Sequence, residues 1–318
     1  MKTRLLLNGK KASQESIRQA VHCLRDEGFD LEVRTTWEAG DIARLVTEAS
    51  QEHCQRVIAG GGDGTVNEVV DAIMQTGQQD IDIAILPLGT ANDFATACSI
   101  PTQSPYDALK LALNGQAHPV DCVKANSRYF INIAAAGFGA QVTANTPFAL
   151  KNFLGGGAYT LSGLVQAINF RPFEGDAFYD GLQVASRVVI GAICNGRMAG
   201  GGQQLSPRAL INDGLIEVVS LEEFEPSDIP QVIDELMQEE HFTGQFVKRN
   251  QVKSIRWQSK DVMPINLDGE PIQTRDITFT VMPSAIKLVL PNSCGILGAG
   301  RFEKRRLYVA FKLLSLTF

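Results

Sequence analysis

The stretch RVIAGGGDGTVNEVV places four glycines within five residues, Gly60, Gly61, Gly62 and Gly64, interrupted by Asp63 alone. An apolar strand pattern runs into them, and apolar residues at 66, 69, 70 and 73 then follow helical spacing. Glycine permits positive φ and lets an anion approach backbone N–H groups, while a helix N-terminus behind it adds partial positive charge. That is a design for phosphate. Asp63 would repel a phosphate unless a cation lay between them, so the segment points to a magnesium-bridged nucleotide. Thr65 is placed to cap the helix and offer its hydroxyl to a phosphate. A strand–helix turn without a ligand needs fewer glycines. The turn is not a Walker A loop, since GxxxxGK[ST] occurs nowhere, and GxGxxG fails because Thr65 stands where the third glycine belongs.

A second turn, ILPLGTANDFA, repeats the design one strand later: apolar strand, Leu-Gly-Thr turn, short helix. In an open α/β sheet both turns fall at the carboxyl ends of strands, where ligands bind. Thr90, Asn92 and Asp93 are then delivered to the crevice that holds Asp63. The simpler alternative is a helix capped by Thr90 or Asn92.

The elements that must carry these turns alternate regularly. Strand patterns at residues 3–9, 30–37, 56–60 and 81–89 are separated by helical patterns at 13–27, 41–50 and 65–75. Helices starting near Ala91 and at Tyr106 follow. This order calls for an open, mostly parallel sheet with helices on both faces. After Gly115 the texture becomes β-rich. HPVDCVKANSRYFINIAA reads as two strands around an Asn-Ser turn, and further strands are expected at 187–194, 215–221, 252–257, 264–267, 277–282 and 286–290. Helical patterns interrupt them at 159–170 and 228–238. NGRMAGGGQQ reads as a flexible loop near the cleft.

The fold class is therefore α/β plus β: an N-terminal open, mostly parallel α/β sheet domain, a C-terminal antiparallel β-sandwich, and an active site in the interdomain cleft. The expected divisions are a nucleotide-binding domain at 1–123, a substrate domain at 124–297 and an atypical tail at 298–318. That tail mixes Arg301, Lys304, Arg305, Arg306 and Lys312 with apolar residues, against Glu303 alone. Its net charge of +4 leaves −10 on the rest of a chain whose total is −6. So acidic a body is a poor nucleic-acid binder. The tail is either an appended or poorly ordered end or an interfacial membrane anchor.

Of the 318 residues, 44% are hydrophobic and 20% charged, ordinary values for a globular protein. No apolar run reaches the roughly 18 residues a spanning helix requires, and the N-terminus lacks an export signal. Six scattered cysteines without a CxxC pair suit a reducing compartment, the cytoplasm, and exclude a zinc cage. Four histidines form no HExxH, so any metal must be held by oxygen: magnesium, with calcium as the alternative ion.

GGDGT resembles the glycine-rich turn of the superfamily that includes diacylglycerol kinases, sphingosine kinases, NAD kinases and 6-phosphofructokinases. PLGTANDFA is similar to a second hallmark of the diacylglycerol-kinase branch. With NGRMAGGGQQLSP, LINDGLIEV and NLDGEP, the resemblance narrows to the bacterial YegS-like lipid kinases and covers the chain to about Leu297. It implies that Gly62, Asp63, Gly64, Thr65, Val66, Asn67 and Glu68 hold the ATP phosphates, with further ATP contacts from Thr36 and Thr90. It implies Glu270 as the catalytic base. It also implies a magnesium held by the Asp213 carboxylate with the carbonyls of Leu210 and Leu215. The implied activity is ATP-dependent phosphorylation of a lipid hydroxyl, on phosphatidylglycerol, diacylglycerol or another hydroxylated lipid, by a protein working peripherally at the membrane surface. Two alternatives stand beside it: a soluble-substrate kinase of the NAD-kinase type, and a nucleotide-binding sensor without turnover.

Overall fold

The computed structural model describes residues 1–137, 171–238 and 242–298. The expected helix at 159–170 and the tail from residue 299 lie outside these residues.

Four parallel strands form the N-terminal sheet in the order β2 (Leu31–Thr36), β1 (Thr3–Asn8), β3 (Arg56–Gly61) and β4 (Asp82–Pro87). These strands are apolar along their length because helices cover both faces. Leu5 and Leu7 of β1 face α1 (Glu15–Asp26) and α5 (Pro105–Asn114), in a cluster with Val21, Leu24 and Leu109. Leu6, one residue out of phase, faces α2 (Asp41–Gln51) and α3 (Asp63–Thr76), among Leu45, Val46, Val69 and Ile73. A fifth and much shorter helix, α4 (Asp93–Ala97), follows the second turn.

The C-terminal half differs from the expected strand list. Segments 277–282 and 286–290 are one strand, β16 (Glu270–Leu290), and 264–267 continues from most of 252–257 in one strand, β15 (Ser254–Leu267), with Val252 ending the strand before it. Each carries a register shift, between Met282 and Ile286 in β16 and between Gln258 and Met263 in β15, so the polar residues that read as interruptions are bulges. The segment after Gly115 forms three strands instead of two: β5 (Gln116–Ala125), β6 (Arg128–Phe130) and β7 (Ile133–Gly137). Next come β8 (Phe173–Tyr179), β9 (Leu182–Cys194), the short pair β10 (Met198–Ala199) and β11 (Gln203–Gln204), then β12 (Ile216–Glu222). A helix α6 (Ile229–Leu236), β13 (Phe242–Thr243) and β14 (Val247–Val252) complete the elements before β15.

Both β7 and β8 pair with β9 and with β15, so the long strands close on themselves around a core of Phe130, Ile255, Trp257, Ile265 and Phe279. The two halves of the molecule share strands. The N-terminal part of β16 pairs β15, while its C-terminal part runs parallel to β4 and antiparallel to β5. The expected boundary at residue 123 therefore falls inside β5. Asp121 of β5 fixes this junction: its carboxylate accepts the Ser284 N–H of the β16 bulge and the Gly214 N–H, both at 2.7 Å.

Candidate active site

Two glycine turns meet back to back at the carboxyl ends of β3 and β4. A Cβ on Gly89 would sit 2.6 Å from the Gly62 Cα, so neither turn accepts a side chain at the contact. Gly61 is closed off differently: its Cβ would lie 2.2 Å from Thr65 Oγ1. Gly64 alone opens outward, with the Asp268 carbonyl oxygen 4.0 Å from where its Cβ would be. The glycine-rich turn thus contains packing glycines as well as one, Gly64, that faces the open cleft.

Across the opening stands the hairpin between β15 and β16. Asp268 and Gly269 both have positive φ, 49° and 105°, forming a two-residue turn that puts Glu270 at the start of β16. Together Gly62, Asp63, Gly64, Thr90, Asp93, Asp268 and Glu270 line one cleft of about 450 Å³. Its other wall comes from Asn132, Ile133 and the β10–β11 hairpin around Gly200 and Gly201. That hairpin is the segment expected to be a flexible loop.

Three carboxylates in the cleft each hold a piece of backbone. Asp63 accepts the N–H groups of Asp93 (3.2 Å) and Phe94 (3.1 Å), capping α4. Asp93 accepts those of Gly201 (2.8 Å) and Gly202 (2.6 Å), tying the hairpin to the first domain. Asp268 accepts those of Ile131, Asn132 and Ile133 at 2.9, 2.9 and 2.7 Å. Burial raises the Asp63 pKa above the ordinary carboxylate range, and the nearby Asp93 charge adds to it. Burial pushes Asp268 up to about 6 despite its three donors, with the Asp63 charge contributing. Glu68 is raised by burial and by the charge of Glu270.

Neither expected cap of α4 operates. Asn92, at φ 52°, spends its side chain on Gly89, accepting its N–H at 2.8 Å and donating to its carbonyl at 2.9 Å, and Asp63 supplies the cap from the neighbouring turn. Thr65 does not cap α3 either: the N-cap is Gly62, and Thr65 is buried in the first turn. Val66 packs into the core beside Leu6, and Asn67 is buried as well, so both can face a ligand only through backbone. Thr90 is exposed in the cleft. Thr36 lies outside it, two strands away, accepting the Gly9 N–H on Oγ1 at 3.3 Å.

Leu210, Asp213 and Leu215 form a separate place beside the strand junction. Asp213 Oδ1 accepts the Leu215 N–H at 3.0 Å, and burial raises its pKa, with the charges of Asp121 and Glu217 adding. Sequence reasoning missed Asp268 and Asn132. The signal for Asp268 was present in LDGEP, where only the glutamate was taken as functional.

Comparison with known proteins fits this geometry. The model for the diacylglycerol kinase catalytic domain matches residues 2–125, and the model for the YegS C-terminal NAD kinase beta sandwich-like domain matches 132–290. The chain belongs to the YegS-like lipid kinase family. A "Probable lipid kinase YegS-like" of Shewanella frigidimarina is 50% identical over 92% of this chain and 94% of its own length. Its counterpart in Chromohalobacter salexigens is 44% identical over 93% and 95%. Among solved structures, a diacylglycerol kinase from Bacillus anthracis str. Sterne aligns with TM-score 0.66 at 20% identity, covering 92% of this YegS-like chain and 98% of its own. A second structure from that organism reaches 0.75 at 22%. At those identities the likeness concerns the fold.

The cleft of this YegS-like protein lacks one thing a nucleotide site usually offers. Among the described residues no lysine or arginine lines it, while Asp63, Asp93, Asp268 and Glu270 do. Nor do the described residues contain a cluster of three or more Asp, Glu, His or Cys able to cage a metal. A triphosphate could enter only with its own divalent cations, which is how magnesium is commonly held: by one or two carboxylates plus substrate phosphates.

Proposed function

We propose that this chain transfers the γ-phosphate of Mg-ATP to a hydroxyl of a membrane lipid, phosphatidylglycerol, diacylglycerol or a related lipid, working peripherally at the cytoplasmic membrane surface. The observation that carries the reading is the meeting of Glu270, from the second domain, with two glycine turns of the first in a cleft where, among the described residues, no basic side chain lines the wall. The backbone N–H groups in the first turn of the 14-residue helix α3, just after Gly62, donate to phosphate oxygens. Thr90 adds a hydroxyl to the same wall. When bound, magnesium neutralises charge on the transferring group, and Asp63 with its neighbouring carboxylates would hold it. Glu270 accepts the proton of the attacking lipid hydroxyl, a role for which a carboxylate within reach is sufficient. Asp63, Asp93 and Asp268 also keep the walls in register, so that acceptor and donor are presented at a fixed distance. The Asp213 carboxylate, with the carbonyls of Leu210 and Leu215, would hold a second, structural magnesium or calcium outside the cleft, completed by water.

The substitution Glu270→Gln tests the assignment. It should lower turnover by about 10²-fold or more while Mg-ATP still binds. Near wild-type turnover in Glu270→Gln would remove the base from the account. Product in the form of NADP would favour a soluble-substrate kinase, and nucleotide binding without any phosphorylated product would favour a sensor.

A further inference from the structure

Trp37, the residue after β2, is 96% exposed. Its backbone, in contrast, is fixed: the Trp37 N–H donates to Asp41 Oδ2 at 2.6 Å, the Glu38 N–H to the same oxygen at 3.0 Å, and Arg44 holds Asp41 Oδ1 at 2.7 Å. A pinned turn presents an unburied indole. An indole offers a flat apolar face with a polar N–H at its edge, which suits contact with a flat, partly polar ring.

Its place on the sheet says which ring that is. Leu7 of β1 is paired with Thr35 of β2 on one side and Gly60 of β3 on the other. Thr36 is therefore level with Gly61, and Trp37 with Gly62, on the same carboxyl edge. Two strand spacings separate them, about 10 Å, comparable to the reach of a nucleotide from phosphates to base. Between them β1 exits through Gly9, which carries no side chain to obstruct the path and is held against Thr36, whose carbonyl oxygen would be 2.2 Å from a Cβ there. We infer that the Trp37 indole is the stacking face for the base of the bound nucleotide, with the phosphates at Gly62 and the sugar crossing the β1 exit. The inference rests on the kinase reading of the cleft. Because every base offers a π-face, stacking of this kind discriminates weakly between purines.

Binding of Mg-ATP, Mg-GTP and Mg-tripolyphosphate to the full chain tests it, followed by tryptophan fluorescence and by calorimetry. Mg-ATP should quench the emission saturably and tripolyphosphate should not, because Trp257, the other tryptophan, is buried in the second domain. Trp37→Ala should weaken Mg-ATP and Mg-GTP about tenfold while tripolyphosphate binds as before, and Trp37→Phe should fall between. Unchanged ATP affinity in Trp37→Ala, an equal loss for ATP and tripolyphosphate, or a Phe variant no better than Ala would overturn the stacking role. So would a Trp37→Ala protein that binds ATP normally but loses binding to phosphatidylglycerol–phosphatidylcholine vesicles, which would make the indole a membrane contact. A wild-type chain that binds tripolyphosphate but no nucleotide sinks this inference alone; one that binds neither sinks the kinase reading with it.

Discussion

Asp63 shows how one side chain in this cleft does two jobs. It faces the phosphate side of the glycine turn, yet both its oxygens accept N–H groups of α4. Asp63→Asn should therefore cost stability as well as activity, about 1–2 kcal/mol from loss of a cap, read as a lower Tm of the purified variant. Asp268 has a pH signature. Its pKa of about 6 lies above the unfolded carboxylate value, so the folded chain binds this proton more tightly. The stability it contributes is present below about pH 4, is lost as pH rises to about 6, and is level beyond. Asp41 has the opposite sign: held down to about 2 chiefly by Arg44, its contribution is present above about pH 4 and lost as pH falls through 2. Tm measured from pH 4 to 7 should carry the Asp268 slope in the wild type and lose it in Asp268→Asn. At this scale the sequence revealed types and not directions. Asp63 and Thr90 announced themselves through turn chemistry and Glu270 only through the resemblance of its LDGEP turn to the family, but the burial of Thr65, Val66 and Asn67 depends on how α3 docks on β1 and β3.

Elements explain why the glycines are not equivalent. Gly89→Ala drives a methyl into Gly62 and must part the two turns, whereas Gly64→Ala meets only an oxygen 4.0 Å away in the cleft. Gly89→Ala should lower Tm by several degrees and weaken Mg-ATP binding; Gly64→Ala should leave Tm within about a degree and weaken Mg-ATP binding only. Equal thermal effects would contradict the division. The alternation of strand and helix in the first hundred residues was legible because buried parallel strands and amphipathic helices have distinct periods. The second half was less so. The shifts between Gln258 and Met263 and between Met282 and Ile286 break the period-two pattern, so single long strands read as pairs.

For the molecule as a whole, no described helix is long and apolar enough to cross a membrane, and the net charge is −6. Attraction to anionic headgroups must then be weak or local. The described residues that line the cleft lie between Gly62 and Glu270, so a chain ending at Gly298 should phosphorylate detergent-dispersed lipid within about twofold of the full chain; a large loss would assign the basic tail a role. The sharing of β16 between both halves was invisible in sequence, since its pairing with β4 joins strands about 200 residues apart. It is nonetheless what brings Glu270 opposite Gly62. The most direct test of that arrangement is to incubate the full chain with magnesium, γ-labelled ATP and a mixture of phosphatidylglycerol, diacylglycerol and NAD, then separate the products. Label should appear in a lipid band, depend on magnesium and vanish in Glu270→Gln. Label in NADP, or in no acceptor at all, would contradict the account.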